Sequence, residues 1–192
     1  MIGCAGYFMI IYYFRYTIKI LLMKFIQATI DELPAVIEII NHAKEYLALL
    51  GIDQWQNGYP NEAVMVNDIA HKECYIVQRE DHYIMATAMF TTRMEPTYAV
   101  IEGKWLTAPT AVYGVIHRMA VHDDYRGAGM AQFIFDQCEG YLKENNIASM
   151  RIDTHHDNKG MQQLLDKRGY SRCGTIVLDD GSLRLAFEKL VD

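Results

Sequence analysis

The feature that most constrains this chain is a turn of small residues between an apolar strand and an amphipathic helix. The turn consists of Arg126, Gly127, Ala128, Gly129, Met130 and Ala131. The preceding segment 115–121 is largely apolar, which is typical of a buried strand. Apolar residues then recur at helical spacing, at Met130, Phe133, Ile134, Cys138, Tyr141 and Leu142. The spacing predicts a strand–turn–helix unit.

The turn has the properties of an anion-binding loop. A helix start carries unpaired N–H groups and the positive end of the helix dipole, and small side chains let an anion approach the backbone closely. These properties predict a phosphate or pyrophosphate cradle, and the alternative on spacing alone is an ordinary turn with two glycines. Neither G-x-x-x-x-G-K-[ST] nor G-x-G-x-x-G occurs in the chain, so two other nucleotide-binding loops can be set aside.

The surrounding residues extend the pattern. Asp123-Asp124-Tyr125 precedes Arg126-x-x-Gly129-x-Ala131, and a second apolar strand at 148–154 is followed by the run 157–161 and by Gly169-Tyr170. Together these residues resemble the GNAT N-acetyltransferase superfamily, over about residues 23–190. The resemblance implies an α+β fold, with a mixed and mostly antiparallel sheet of about seven strands flanked by about four helices. It also implies acetyl-CoA as the cosubstrate.

The resemblance places the cofactor on named residues. The backbone of Met119, Ala120 and Val121 would pair with the pantetheine arm, and amides across 127–131 would hold the pyrophosphate. Asn158 would contact the pantetheine or thioester region. From the residues alone, Asn158 is also a candidate helix N-cap, with Asp157 as a competitor.

The catalytic groups are less defined. Many relatives place a tyrosine seven residues after the asparagine, and here that position is Leu165. His117 is the candidate base, because strand alternation puts it on the same face as Met119; the alternative is a hydrogen-bonded core histidine. The ring of Tyr170 is expected to pack against other side chains and not to replace the missing tyrosine.

The acceptor side is predicted from two connecting segments. Trp55 and Tyr59 lie between the first two helices and are candidate substrate-binding residues, or alternatively lid packing. The segment 93–106 is a second candidate wall. No metal is expected, because His155, His156 and Asp157 are adjacent at a strand end and should point to opposite sides.

These observations predict acetyl transfer to a primary amine of a small molecule or peptide, by direct attack in a ternary complex. Two alternatives remain: acetylation of protein N-termini or lysines, and a non-catalytic acyl-CoA-binding regulatory module, which Leu165 motivates.

Composition fits a single domain. The hydrophobic fraction is 51% and the charged fraction 22%, both ordinary for a globular protein of 192 residues. The net charge of −6 suggests no nucleic-acid partner. The four cysteines have no C-x-x-C spacing and are interpreted as reduced thiols of a cytoplasmic protein. The oligomeric state is left open, although dimers are common in the superfamily.

The first 22 residues are apolar but include Arg15 and Lys19. They lack the features of a secretory signal, and the uncharged run 1–14 is too short for a confident membrane span. They are interpreted as an extension that binds a membrane surface or partner, or as sequence upstream of a true start at Met23. Residues 23–192 then form the acetyltransferase domain.

The rest of the chain alternates between strands and helices. Asp31 is the predicted cap of a helix that ends near Gly51, and residues 58–60 begin a shorter helix. Strands are predicted near 74–78, 83–92, 114–121, 148–154, 170–178 and 183–189, with helices over 128–145 and 159–168. Residues 93–110 are predicted to be an irregular connection.

Overall fold

The computed structural model describes residues 23–191, which build one mixed sheet of eight strands. The strands are β1 Met23–Gln27, β2 Cys74–Arg79, β3 Ile84–Thr91, β4 Glu102–Gly103, β5 Gly114–Val121, β6 Ser149–Thr154, β7 Ser171–Val177 and β8 Leu183–Leu190. The α-helices are α1 Leu33–Leu49, α2 Glu62–Ala70, α3 Met130–Glu144 and α4 Lys159–Lys167. The prediction for residues 1–22 lies outside the described residues.

The strand order is β1-β2-β3-β5-β6-β8-β7-β4, and only β5 and β6 run parallel. The predicted mixed, mostly antiparallel α+β sheet is therefore confirmed. It has eight strands rather than about seven, because the two-residue β4 pairs with β7 inside a segment predicted to be irregular. So short a strand leaves no periodic signal in a sequence.

Alternating side chains divide the sheet between two helical layers. Ile76 packs with α1 and α2 on one face, whereas Val77 packs with α3 and α4 on the other. Of the predicted α3 stripe, Met130, Ile134, Cys138 and Leu142 are buried, whereas Phe133 is half-buried and Tyr141 is exposed. Phe135, which the stripe had omitted, is buried as well. Burial of these side chains, each worth roughly 1.5–3 kcal/mol, fixes both helical layers on the sheet.

Two helix starts differ from the prediction. Asp31 does not cap α1; Thr29 forms a capping box with Glu32 around a 3-10 turn that leads into the helix. The second helix begins at Glu62, after an Asn61 cap, and not at residues 58–60. In each case another side chain with capping chemistry lay within three residues, so composition could not choose between them.

A buried ion pair joins β6 to β8. Arg151 in β6 and Glu188 in β8 are almost fully buried, with Nε and Oε1 3.1 Å apart. Glu188 also accepts hydrogen bonds from the backbone of Leu106 and the hydroxyl of Thr107, and the Arg151 guanidinium lies 3.9 Å from the Tyr113 ring centroid. These contacts hold the 93–113 connection against the sheet, because an unpaired buried charge would be costly.

Strand β5 separates from β6 soon after it begins. The two are paired at only Gly114↔Met150 and Val115↔Arg151. The pairing of β5 with β3 contains a bulge, since Thr87 faces Ala120 while Met89 faces His117. Arg118 inside this bulge has φ +50°, an unusual value for a residue with a side chain. Beyond Val115, no strand among residues 23–191 pairs with the β6-facing edge of β5.

The described cysteines Cys74, Cys138 and Cys173 are buried free thiols. No helix among residues 23–191 is both long and apolar enough to cross a membrane.

We predict opposite effects for two glycine substitutions. A Cβ on Gly174, which has φ +154°, would lie 2.1 Å from the Glu102 carbonyl oxygen, so Gly174→Ala should lower the free energy of unfolding by at least about 2 kcal/mol. Gly140 lies inside α3 with nothing within 4 Å of an added Cβ, so Gly140→Ala should raise it by about 0.4–1 kcal/mol. Urea denaturation measures both, and equal effects would contradict the close contact between β4 and β7.

Candidate active site

A cleft of about 1030 Å³ opens where β5 and β6 separate. Its floor is the 116–121 part of β5, and one end is the turn before α3. The other end is bounded by the α1–α2 connection, the segment 93–97 and the turn between β7 and β8. The cleft therefore joins the predicted anion-binding turn to both predicted acceptor walls.

The turn before α3 presents unpaired amides. Gly127 and Gly129 have φ +74° and +84°, and Gly129 is the N-cap of α3 without any side-chain cap. The Ala128 N–H donates to the Tyr125 carbonyl at 3.0 Å. Within the described chain, the N–H groups of Gly127, Gly129, Met130 and Ala131 make no hydrogen bond. Such an array is suited to several oxygens of one anion.

Arg126 lies at the edge of the cleft. Its guanidinium pairs with Asp123, lies 3.9 Å from the Tyr46 ring centroid and donates to the His42 carbonyl at 3.3 Å. These contacts tie the turn to α1.

Asn158 caps α4, as its residue type alone suggested, and Asp157 does not. Its Oδ1 accepts from the Met161 N–H at 3.0 Å, and its Nδ2 donates to Gln54 Oε1 at 3.0 Å. A cofactor contact through Nδ2 would therefore have to replace Gln54.

Helix α4 presents only apolar side chains to the cleft. Met161 and Leu164 line it, whereas Leu165 is fully buried in the core. Tyr170 packs against Phe135 and donates to Glu139 Oε1 at 3.0 Å. None of these side chains can supply a proton to a reaction in the cleft.

His117 lines the cleft between two carboxylates. Its Nε2 lies 3.1 Å from Glu95 Oε2, and its Nδ1 lies 3.6 Å from Asp153 Oδ1. The Asp153 carboxylate accepts a hydrogen bond from the Tyr98 hydroxyl at 2.8 Å. The bulge at Arg118 interrupts the strand alternation that was used to place His117 on the same face as Met119. His117, Arg118 and Met119 all reach the cleft instead.

Glu95 is held in its charged form. Burial alone would raise its pKa, but hydrogen bonds from His117 and Thr97 outweigh burial and lower the pKa to about 2. By contrast, burial and the Asp153 carboxylate raise the pKa of Tyr98 well above its ordinary value. The carboxylates beside His117 can thus orient its imidazole.

A second charged group lies across the cleft. The Arg118 Nε and Nη2 each donate to Asp68 at 2.8 Å, and Nη1 donates to the Tyr59 hydroxyl oxygen at 2.6 Å. Because that oxygen accepts from Arg118, its own proton is directed elsewhere. Burial raises the pKa of Tyr59. Sequence reasoning missed Arg118 and Asp68; an arginine inside an otherwise apolar strand was the available signal.

Only some residues of the two predicted acceptor walls line the cleft. Trp55 and Tyr59 both line the cleft, but Trp55 also packs against the α1–α2 core. In the segment 93–106, Arg93, Glu95 and Thr97 line the cleft, whereas Tyr98 and Trp105 belong to a buried cluster.

The interpretation of His155, His156 and Asp157 needs correction. Strand β6 ends at Thr154, so strand alternation does not apply beyond it. The two imidazole centroids are 4.3 Å apart, and His156 Nε2 lies 3.0 Å from Asp157 Oδ2. These side chains therefore converge and do not point to opposite sides.

A splayed parallel strand pair beside an amide-rich turn fits the acyltransferase class that the sequence resembles. The sequence model of the acetyltransferase (GNAT) family matches residues 35–170, and the chain belongs to that family. No protein of curated function matches the chain.

Solved structures agree with this assignment. A GNAT-family acetyltransferase from Streptococcus agalactiae is 33% identical, with 88% of this chain and 96% of that chain covered and a TM-score of 0.78. A GNAT-family acetyltransferase from Listeria monocytogenes is 14% identical over 88% and 94% of the two chains, with a TM-score of 0.69. The PaiA N-acetyltransferase of Thermoplasma acidophilum, solved with coenzyme A, is 13% identical over 88% and 98%, with a TM-score of 0.65. The last two support the fold alone.

We predict that Glu95 stabilises the fold in a pH-dependent way. Because its folded pKa of about 2 lies below the ordinary 4.5, its contribution is present above pH 4.5 and is lost as the pH falls towards 2. Glu95→Gln should therefore lower the free energy of unfolding by on the order of 2 kcal/mol at pH 6, with the difference shrinking at pH 3. Denaturant titrations at both pH values measure it. Glu102→Gln, at an exposed carboxylate of β4, is the control; a pH-independent difference at Glu95 would contradict the assignment.

Proposed function

We propose that this protein transfers the acetyl group of acetyl-CoA to a primary amine of a small molecule or peptide. The observation that carries the proposal is a single cleft joining unpaired turn amides to an imidazole between two carboxylates. The first feature suits the pyrophosphate of the donor, and the second suits a cationic acceptor that must lose a proton.

The donor would be held mainly by backbone. The free N–H groups of Gly127, Gly129, Met130 and Ala131 would bind the pyrophosphate. The unpaired edge of β5 at Met119, Ala120 and Val121 would pair with the pantetheine amides, as a strand partner would. The identity of the β5 side chains matters little in this pairing, because it uses only backbone groups.

The acceptor would lose its proton to His117. Asp153 and Glu95 would attract the ammonium form, and the Nε2–H of His117 donating to Glu95 would leave Nδ1 as the basic nitrogen. Glu95 would then stabilise the imidazolium after proton transfer. Asp153 is held in place by the Tyr98 hydroxyl.

Tyr59 is the candidate proton donor to the departing thiolate. Its hydroxyl oxygen accepts from Arg118, the neighbour of Met119, and its side chain lines the cleft. Asp68 holds the Arg118 guanidinium through two hydrogen bonds to its carboxylate. The α1–α2 connection would thereby supply the acid that α4 lacks.

Direct attack of the amine on the thioester is favoured over a covalent enzyme intermediate. The described cysteines are buried and do not line the cleft. Burial raises the pKa of the Cys74 thiol to about 11, so it stays protonated and poorly nucleophilic at neutral pH.

The function is tested by calorimetric titration with acetyl-CoA and by thiol release over a panel of amines and peptides. We expect binding, and release with at least one primary amine. Gly127→Ala should weaken binding at least about tenfold, because its Cβ would meet the pyrophosphate. Gly51→Ala, at φ +69° and equally open, is the control for backbone strain and should bind normally. Binding without turnover would favour the regulatory module, and absence of binding would reject the proposal.

The proton-transfer roles predict distinct losses. His117→Gln should lower kcat by about 10²-fold or more and remove the acid limb of the pH–rate profile. Tyr59→Phe should cost less, on the order of tenfold in kcat with an unchanged KM for acetyl-CoA, because a thiolate leaves readily.

Tyr141→Phe is the matched control for the tyrosine, since Tyr141 is exposed on α3 outside the cleft. An unchanged pH profile in His117→Gln would remove His117 as the base. A rise in KM alone in Tyr59→Phe would make Tyr59 a binding residue.

A further inference from the structure

A cluster of metal-ligand side chains lies outside the cleft chemistry described above. Glu38 and His42 occupy positions i and i+4 of α1, so they share one face of that helix. His122 follows the end of β5 and faces them, with its ring centroid 5.9 Å from that of His42. One ligand atom from each of the three residues lies within 4.8 Å of the others.

One nitrogen of this cluster lacks a hydrogen-bond partner among the described residues. His42 Nδ1 is buried and has no hydrogen-bond partner among the described residues. An unsatisfied buried polar atom is destabilising by about 1–3 kcal/mol in general, and native structures rarely keep one without a reason. A cation bound through Nδ1 would give this atom a partner.

The surroundings of His122 also fit a ligand role. Its Nδ1 accepts from the Asp124 N–H at 3.2 Å, so Nε2 carries the proton and donates to the Tyr83 hydroxyl at 3.0 Å. Because the first contact uses the Nδ1 lone pair, a cation bound at Nδ1 would have to displace the Asp124 N–H. Ligating histidines commonly donate their second N–H to such an outer partner, which fixes the ring. The Asp124 carboxylate lies 3.8 Å from the same Nδ1 and is largely exposed.

The donor set selects the kind of ion. Two neutral imidazoles and one carboxylate suit zinc-type divalent cations, and they disfavour calcium and magnesium, which prefer oxygen ligands. Ligand atoms around a tetrahedral zinc ion are about 3.3 Å apart, so small side-chain rotations would close the cluster. Among residues 23–191, the Glu38 carboxylate makes no hydrogen bond or ion pair.

We propose that Glu38, His42 and His122 form a binding site for a zinc-type divalent cation, with water completing the coordination. The site would join α1 to the segment that leads into the turn at 126–131. It is separate from acetyl transfer and does not depend on it.

The test uses the full chain, freed of metal with a chelator and then titrated with Co²⁺. We expect one equivalent to bind at micromolar concentration with visible absorption bands, and Zn²⁺ to displace it. Glu38→Gln and His42→Leu should each weaken binding at least about tenfold. His156→Gln should bind normally, which makes it the matched control from the second histidine cluster.

Folding is checked on the same proteins without metal. Because His42 Nδ1 has no partner to lose, the thermal midpoint of His42→Leu should equal or exceed that of the wild type. Added Zn²⁺ should raise the midpoint of the wild type and of His156→Gln only. Glu38→Gln, at an exposed residue, carries the test if His42→Leu fails to fold. Absence of Co²⁺ binding, or loss of binding in His156→Gln alone, would overturn the proposal.

Discussion

The separation of β5 from β6 is the constraint on which the rest of the structure depends. A parallel pair that continued past Val115 would satisfy the β5 backbone and leave no cleft. Packing anchors each strand at the positions where the two are still paired. Gly114 lies against Leu142 of α3, where an added Cβ would be 2.7 Å from Cδ1, and Arg151 holds β6 to β8 through Glu188. The two strands are thus anchored to different neighbours.

The bulge at Arg118 determines which side chains reach the cleft that this separation opens. One extra residue in β5 brings three consecutive side chains, His117 to Met119, to the cleft, where regular alternation would have turned the middle one away. The positive φ of Arg118 is an energetic cost that the Asp68 and Tyr59 contacts offset. Strained backbone and paired charge therefore occur together at the candidate reaction centre.

The sequence was informative where a local pattern determines structure. Helical spacing after Met130 and the small residues of the turn are properties of contiguous segments, and the corresponding elements were predicted nearly to their ends. The site was less predictable because its contacts join distant residues. Glu95 and His117 are 22 positions apart, and Arg118 and Asp68 are 50 apart. A bulge also leaves no mark in residue type, which is why the position of Arg118 in the cleft was not predicted.

The position of Leu165 illustrates that polar side chains of the cleft can come from different elements of the same fold. A tyrosine there would meet the fully buried core and not the cleft, so α4 contributes packing through Leu165 and an apolar wall through Leu164. Polar groups that face the same space must then come from elsewhere. The α1–α2 connection provides Tyr59 and the 93–97 segment provides Glu95, both on connections whose backbone the sheet does not dictate. Backbone recognition of the donor can therefore stay constant in this fold while the acceptor chemistry varies with the loops.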